Sequence, residues 1–268
     1  MTPWSGGWVS ERATCVLAPN PGPMTLDGTN TYVLAEPGAN LAVVVDPGPD
    51  DPDHLARVAA TAEAGGRTVG LVLLTHSHLD HSGGARALAE RVGAPLRAAD
   101  PALSRAAEPL TAGDLDAGID RLGGLELVVV PTPGHSADSV CFVLPGDGAL
   151  LTGDTVLGRG TSVIASPDGR LGDYLSSLRD LAEVVRSRGL HQLLPGHGPV
   201  RTDPAAVVAA YSQHRLERLE QVRAAVAAGA STAMEVVETV YADVDRSLWA
   251  AAEQSVRAQL DYLLGREP

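Results

Sequence analysis

Three imidazoles and a carboxylate fall within six positions of the stretch Thr75-His76-Ser77-His78-Leu79-Asp80-His81. Imidazole nitrogens and carboxylate oxygens are the ligands that zinc and similar cations take from proteins. One histidine here would read as a local hydrogen-bonding residue. Four ligand-type side chains together read as a metal site. The apolar run Val69-Gly70-Leu71-Val72-Leu73-Leu74 comes just before them and reads as a buried strand. In extended chain, residues two apart point the same way, so His76 and His78 can face one ion. Asp80 and His81 follow as the chain turns and can face a second ion beside it. Ser82, Gly83 and Gly84 then start a helix over Ala85 to Arg91, and Gly93 is its stop signal.

A two-metal site needs more ligands, and three other strand ends offer them. The apolar run 125–130 ends in Pro131-Thr132-Pro133-Gly134-His135-Ser136. The run Ala149-Leu150-Leu151-Thr152 ends in Gly153-Asp154-Thr155. Leu193-Leu194 ends in Pro195-Gly196-His197-Gly198-Pro199. Each time an apolar strand is followed by Gly and then a ligand-type residue. Glycine lets the backbone pass close to a crowded site. Five of the eight histidines stand at these places. Of the others, His54 falls in an expected surface helix, His191 before a strand and His214 on a long charged helix, and all three read as structural.

The order of these motifs resembles the metallo-β-lactamase superfamily over about residues 20 to 200, including the strand-end aspartate of Val45-Asp46-Pro47-Gly48. The resemblance implies an α/β fold, an αββα sandwich with metals at one edge. It also implies that His76, His78 and His135 hold one metal, that Asp80, His81 and His197 hold the other, and that Asp154 bridges them. Asn20-Pro21-Gly22-Pro23, the segment Asp27 to Tyr32, and the segment Thr152 to Gly160 resemble the β-lactamase-like-protein-2 branch. Members of that branch carry a short C-terminal winged-helix-like domain. Part of the branch is credited with single-strand endoribonuclease activity, and related fungal enzymes release polyketides as thioesterases. A shared fold does not choose among these substrates.

The ligand set contains no cysteine, which suits zinc, and also iron or manganese. Two such ions about 3.5–4 Å apart can share a hydroxide, because metal binding lowers the pKa of water towards about 7. That hydroxide would attack a carbonyl or phosphoryl centre, with Asp80 positioning it and relaying its proton. Asp46, Ser136 and Asp138 are candidates to orient the imidazoles from behind. Tyr174 is a candidate for the same role or for touching substrate. Arg159, just after the bridging aspartate, could bind an anionic substrate group or make a structural ion pair.

The length of 268 residues accommodates a catalytic domain over 1–200 and a small helical appendage over 201–268. All twenty basic residues are Arg, and the net charge is −13. That charge disfavours polyanions, which need a basic face. A small-molecule substrate is therefore expected, with single-stranded RNA as the alternative. A binding protein that keeps its metals for stability is the rival of another class. Two cysteines far apart, Cys15 and Cys141, fit a reducing cytoplasm. The N-terminus has neither the basic start nor the apolar region of a signal peptide, and no apolar stretch is long enough to span a membrane.

Two βαβ-like halves, meeting near residue 124, should form the catalytic domain. Their helices are Pro52 to Glu63, Gly83 to Val92, and one from about Asp173 to Gly189 that carries Tyr174, Leu178, Leu181 and Val185 at helical spacing. In the appendage, Asp203-Pro204 starts a helix running to Ala228. Thr232 and Glu235 form a capping box for a second helix, and a third follows Asp245. Three helices match the helical part of a winged helix, but no sequence for a wing hairpin follows them. From Arg201 onward seven Arg face ten acids, a balance of −3, so there is no basic footprint. Packing against the catalytic domain, or homodimerisation, is the expected role of this tail.

Overall fold

The computed structural model describes residues 3–115 and 121–267. Two mixed sheets face each other. The first has the order β1 (Gly7–Trp8), β2 (Ala13–Leu17), β3 (Asn30–Leu34), β4 (Leu41–Val45), β5 (Thr68–Leu73) and β6 (Leu96–Arg97). The second contains β7 (Gly113–Asp114), β8 (Val128–Pro131), β9 (Val140–Leu144), β10 (Ala149–Gly153) and β11 (Gln192–Pro195), in the spatial order β11-β10-β9-β8-β7.

Strand periodicity builds the layers. Val43 and Val45 of β4 join Phe142, Leu144 and Leu151 of the second sheet in the core between the sheets. The intervening Ala42 and Val44 face outward onto α1 (Pro52–Glu63) and α3 (Ala85–Val92) through Leu55, Val58 and Leu88. In the second sheet Cys141, Val143 and Leu150 face outward onto Tyr174, Leu178 and Leu181 of α4 (Leu171–Arg188) and onto Val207 and Val208 of α5 (Pro204–Ala227). These inner strands thus bury both faces, which is why they read as continuous apolar runs. The result is the expected αββα sandwich.

The halves are less βαβ-like than the sequence suggests. Only β4–β5, β5–β6 and β10–β11 are parallel pairs, and the remaining ladders are antiparallel. The second sheet also begins before residue 124, because β7 pairs with β8. Residues 125 to 127 are not part of the β8 ladder, although Leu125 and Leu127 still point into the core.

The directions of the strands place the candidate ligands. β4 and β5 are parallel, so Asp46 and the segment 75–78 leave at one edge. β8 runs antiparallel to β9, and β9 antiparallel to β10, so β8, β10 and β11 all point the same way. His135, Asp154 and His197 follow these three strands. The chain after β5 turns at once into the short helix α2 (Leu79–Ser82), which carries Asp80 and His81.

The tail is helical, with α5, α6 (Ala233–Val240) and α7 (Trp249–Leu263). Asp203 caps α5 through the N–H of Ala206, and both halves of the Thr232–Glu235 capping box are formed. Val222 of α5, Val236 and Val237 of α6, and Val256 of α7 make a small core of their own. The tail also packs on the sandwich: Ala258 joins the layer under α4, and the Glu267 carboxylate accepts the N–H groups of Leu171 and Gly172 at 2.7 and 3.0 Å. An anion there satisfies orphan donors of the first turn of α4. Among the described residues no helix is long and apolar enough to cross a membrane.

Candidate metal centre

The seven candidate ligands converge at one edge of the sandwich. His76 Nε2 lies 3.1 Å from His78 Nδ1, and His135 Nε2 lies 3.0 Å from the same atom. Beside this trio, His81 Nε2 and His197 Nε2 are 3.2 Å apart. Asp80 Oδ2 lies 3.1 Å from His197 Nε2 and 3.6 Å from His81 Nε2. Asp154 reaches both groups. Its Oδ1 is 3.4 Å from His81 Nε2, and its Oδ2 is 3.4 Å from His197 Nε2 and 3.7 Å from His135 Nε2.

Partners behind the rings decide which nitrogen faces inward. His135 Nδ1 lies 2.7 Å from the Val163 carbonyl and His197 Nδ1 lies 3.2 Å from the Gly28 carbonyl. A carbonyl only accepts, so each Nδ1 carries the proton and each Nε2 turns a lone pair inward. His81 Nδ1 meets Asp46 Oδ2 at 2.8 Å, with the same consequence. Thr75 donates its hydroxyl to Asp46 Oδ2 at 2.7 Å, which leaves its oxygen to accept from His76 Nδ1 at 3.0 Å. Four imidazoles therefore aim lone pairs at one another and at two carboxylates. Asp154 Oδ1 is buried and has no hydrogen-bond partner. A closed set of acceptors is stable only around a cation or around protons. The donor set, nitrogen and oxygen without sulfur, suits a divalent ion such as zinc, iron or manganese.

The electrostatics differ between the two groups. Burial, reinforced by neighbouring imidazoles, holds His76 well below the ordinary histidine value, and burial also lowers His135. These rings are neutral and can bind a cation without shedding protons. At His197 burial opposes charge, but Asp154 and Asp80 outweigh it and raise the ring to about 9. His81 is raised well above its usual value in the same way, against burial, by Asp154 and Asp46. Asp154 is held well below the usual carboxylate range, because His197 and His81 outweigh its burial.

Glycines permit this density. A Cβ on Gly196 would stand 2.6 Å from Asp154 Oδ1 and 2.7 Å from His81 Cε1. Gly153, with φ +47°, would press a Cβ against Thr75 Oγ1 at 2.6 Å. The strand–Gly–ligand pattern thus marks where backbone and cage touch.

The remaining candidates divide. Asp46 stands directly behind His81 and accepts three hydrogen bonds, from the Thr75 N–H, the Thr75 hydroxyl and His81. Ser136 and Asp138 bond instead to each other and to the serines at 77 and 139, and no imidazole is among their hydrogen-bond partners. Tyr174 is fully buried between α4 and the sheet, and its hydroxyl donates to the Thr155 carbonyl at 2.5 Å, so it is a core residue. The apolar spacing of its helix carried that signal. Arg159 makes an ion pair with Asp27. His54 is not on the surface: it is fully buried, with Nε2 3.0 Å from the Thr31 hydroxyl. Sequence reasoning missed Thr75, the carbonyls of Gly28 and Val163, and Ser162, whose hydroxyl lies 3.1 Å from His135 Nδ1. Backbone acceptors leave no side-chain signal to find.

A cavity of about 320 Å³ opens on His135 and Asp154. Leu26, Leu157 and Val163 line it from the sandwich side, and Tyr241, Val244 and Leu248 from the tail.

Comparison with known proteins gives a consistent picture. Residues 24–197 match the family model of the metallo-beta-lactamase superfamily, and residues 232–266 match that of the beta-lactamase associated winged helix domain. The beta-lactamase-like protein 2 homolog of Drosophila melanogaster is 30% identical over 92% of this chain and 86% of its own length. The atrochrysone carboxyl ACP thioesterase of Aspergillus fumigatus is 34% identical over 87% of this chain and 74% of its own length. The crystal structure of a metallo-beta-lactamase family protein from Thermus thermophilus superposes with a TM-score of 0.77 at 23% identity, covering 94% of this chain and 93% of that one.

Proposed function

We propose that this chain, which belongs to the metallo-beta-lactamase superfamily, hydrolyses a small ester-like or thioester-like substrate with two divalent cations, zinc foremost. His76, His78 and His135 would hold one ion. Asp80, His81 and His197 would hold the other, with Asp154 shared between them. The observation that carries this reading is the inward aim of four tautomer-fixed imidazoles, three of them within 3.7 Å of the Asp154 carboxylate, which reaches both groups. Bound divalent ions supply a nucleophile from water near neutral pH and polarise the group under attack.

The protein's own residues do the rest. Asp80 is open to solvent, at 31% side-chain exposure, so it can orient the attacking water and take up its proton. Asp46, Thr75, Gly28 and Val163 keep the imidazole lone pairs pointed inward, so no ring has to reorient during turnover. The apolar walls of the cavity suit an acyl group, and they exclude water from the scissile bond. The similarity to a fungal acyl-carrier thioesterase supports the same substrate class. We assign residues 1–200 to the catalytic unit and 201–268 to a helical unit that completes the cavity. Two buried, unpaired cysteines support a reducing compartment such as the cytoplasm.

The test is metal analysis followed by a substrate panel. Purified protein should hold about two ions per chain, and His78→Ala should lose metal. Acyl thioesters, lactones and labelled single-stranded RNA are then assayed with and without chelator. Chelator-sensitive cleavage confined to the thioesters or lactones is expected. Cleavage of RNA alone would replace this substrate assignment with endoribonuclease activity. A fully metallated protein that turns over nothing would be a metal-stabilised binding protein.

A further inference from the structure

The cavity beside His135 and Asp154 holds a charged group that the hydrolytic reading leaves unused. Arg215 of α5 lines this cavity and is only 6% exposed. Its Nη2 donates to the Ser162 carbonyl, and its guanidinium carbon lies 5.1 Å from the centre of the Tyr174 ring. Its Nε is buried without a hydrogen-bond partner. Among the described residues no carboxylate pairs with it. A guanidinium keeps its charge when buried, and a buried charge is costly unless an opposite charge offsets it.

The other cations around the cavity are engaged. Arg159 is paired with Asp27. Arg218 donates to the Val240 carbonyl and to Gln221, and it lies 4.3 Å over the Tyr241 ring. The unmet donor therefore belongs to Arg215. Ser162 fixes its place relative to the chemistry. The same residue accepts from Arg215 through its carbonyl and sits 3.1 Å from His135 Nδ1 through its hydroxyl. An anion bound at Arg215 is thus linked through Ser162 to the His135 side of the cage.

We propose that Arg215 receives a second carboxylate on the acyl part of the substrate. The preferred substrates are then monoesters or monothioesters of short dicarboxylic acids. This rests on the reading of the cage as a hydrolytic centre, and it names the acyl group that centre takes. A carboxylate is a single negative charge and matches the one buried guanidinium of the cavity, whose Nε has no partner. A phosphate dianion would bring excess negative charge close to Asp154 and Asp80.

Calorimetric titration of the metal-loaded full chain tests this without requiring turnover. Succinate, glutarate and adipate are compared with butyrate, valerate and hexanoate. At least one dicarboxylate should bind tenfold or more tightly than the monocarboxylate of equal length. Arg215→Gln should shrink that gap below threefold, and Arg215→Lys should keep part of it. Equal binding of the two series by the unaltered protein overturns the proposal, and so does a gap that survives Arg215→Gln. Butyl phosphate binding as tightly as the best dicarboxylate would overturn the choice of a carboxylate. Should Arg215→Gln fail to fold, the comparison of the two series on the unaltered protein and the Lys variant still decides. A protein that shows the gap but cleaves no thioester keeps the Arg215 site and loses the hydrolytic reading. One that cleaves neutral thioesters without the gap does the reverse.

Discussion

Replacing Asp46 with Asn tests whether the shell behind the ligands sets metal affinity. Asp46 has φ +51°, in the left-handed region that Asp and Asn both tolerate, so the exchange leaves the backbone unstrained. The carboxylate accepts at 2.7 Å from the Thr75 N–H, at 2.7 Å from the Thr75 hydroxyl and at 2.8 Å from His81 Nδ1. An amide has one oxygen and cannot accept from both sides. If its nitrogen faces His81, the ring must take the other tautomer and point an N–H into the cage. If it faces the Thr75 N–H, two donors meet in a buried site. Either arrangement loses a hydrogen bond to a charged group, worth about 1.5–3 kcal/mol. At about 1.4 kcal/mol per decade this is roughly a 10- to 100-fold loss, the range seen when a partner behind a metal ligand is removed. Competition with a chromophoric chelator gives the zinc dissociation constant, and circular dichroism checks the fold. A folded Asp46→Asn protein whose zinc affinity stays within threefold of the original would refute the tautomer argument.

Four further outcomes follow from the same geometry. Gly196→Ala places a methyl group 2.6 Å from Asp154 Oδ1 and 2.7 Å from His81, so zinc affinity should fall by about tenfold or more; unchanged affinity in the chelator assay would count against the cage as drawn. In chelator-stripped protein, His197 is raised from 6.5 to about 9, chiefly by Asp154 and Asp80 working against burial. Its contribution to stability is present in full below pH 6.5 and is lost as the pH rises through about 9. Melting temperatures should therefore drop across that window, and drop less in metal-loaded protein; parallel profiles would contradict the assignment. Ala251→Phe, on the tail side of the cavity, should raise KM for acyl substrates by about tenfold while metal content stays the same; an unchanged KM would remove this wall from the substrate site. Thr232→Ala breaks the formed capping box and should cost about 1 kcal/mol, read by denaturant titration; no loss would mean that packing alone holds α6.

Much of the site was legible because its candidate ligands sit where the pattern changes. Apolar runs that stop at Thr75, Pro131, Gly153 and Pro195 marked strand ends, and ligand-type residues followed each. The helix starts at Pro52, Pro204 and Ala233 were equally readable, since Asp51, Asp203 and Thr232 form real side-chain caps. What failed depended on contacts between distant segments. Ser136 and Asp138 stand close in sequence to His135, yet Ser136 bonds to Asp138, and Asp138 to Ser77 in the turn after β5. His54 was misplaced although the signal was available: His54, Val58 and Ala62 are four apart, on the buried stripe of α1. The β7–β8 pairing was missed because β7 is two residues long and includes a glycine. The backbone acceptors behind His135 and His197 come from residues 163 and 28, and nothing in side-chain identity announces them.

The tail lines the cavity that opens on the cage. α5 contributes Arg215 and Arg218 to the cavity, the turn after α6 contributes Tyr241 and Val244, and α7 contributes Ala252 and Ser255. Ser255 also meets the Ile164 N–H at 3.4 Å, and Ser166 meets Asp261 at 3.2 Å, so α7 as well as α5 is tied to the loop beyond Asp154. That loop supplies the Val163 carbonyl that fixes the tautomer of His135. A shift of α7 against the sandwich would therefore change both the width of the cavity and the orientation of the His135 ring, a candidate ligand. Substitutions in the tail should act on binding and on metal affinity together. A tail that served only as a separate recognition module would leave the cage untouched.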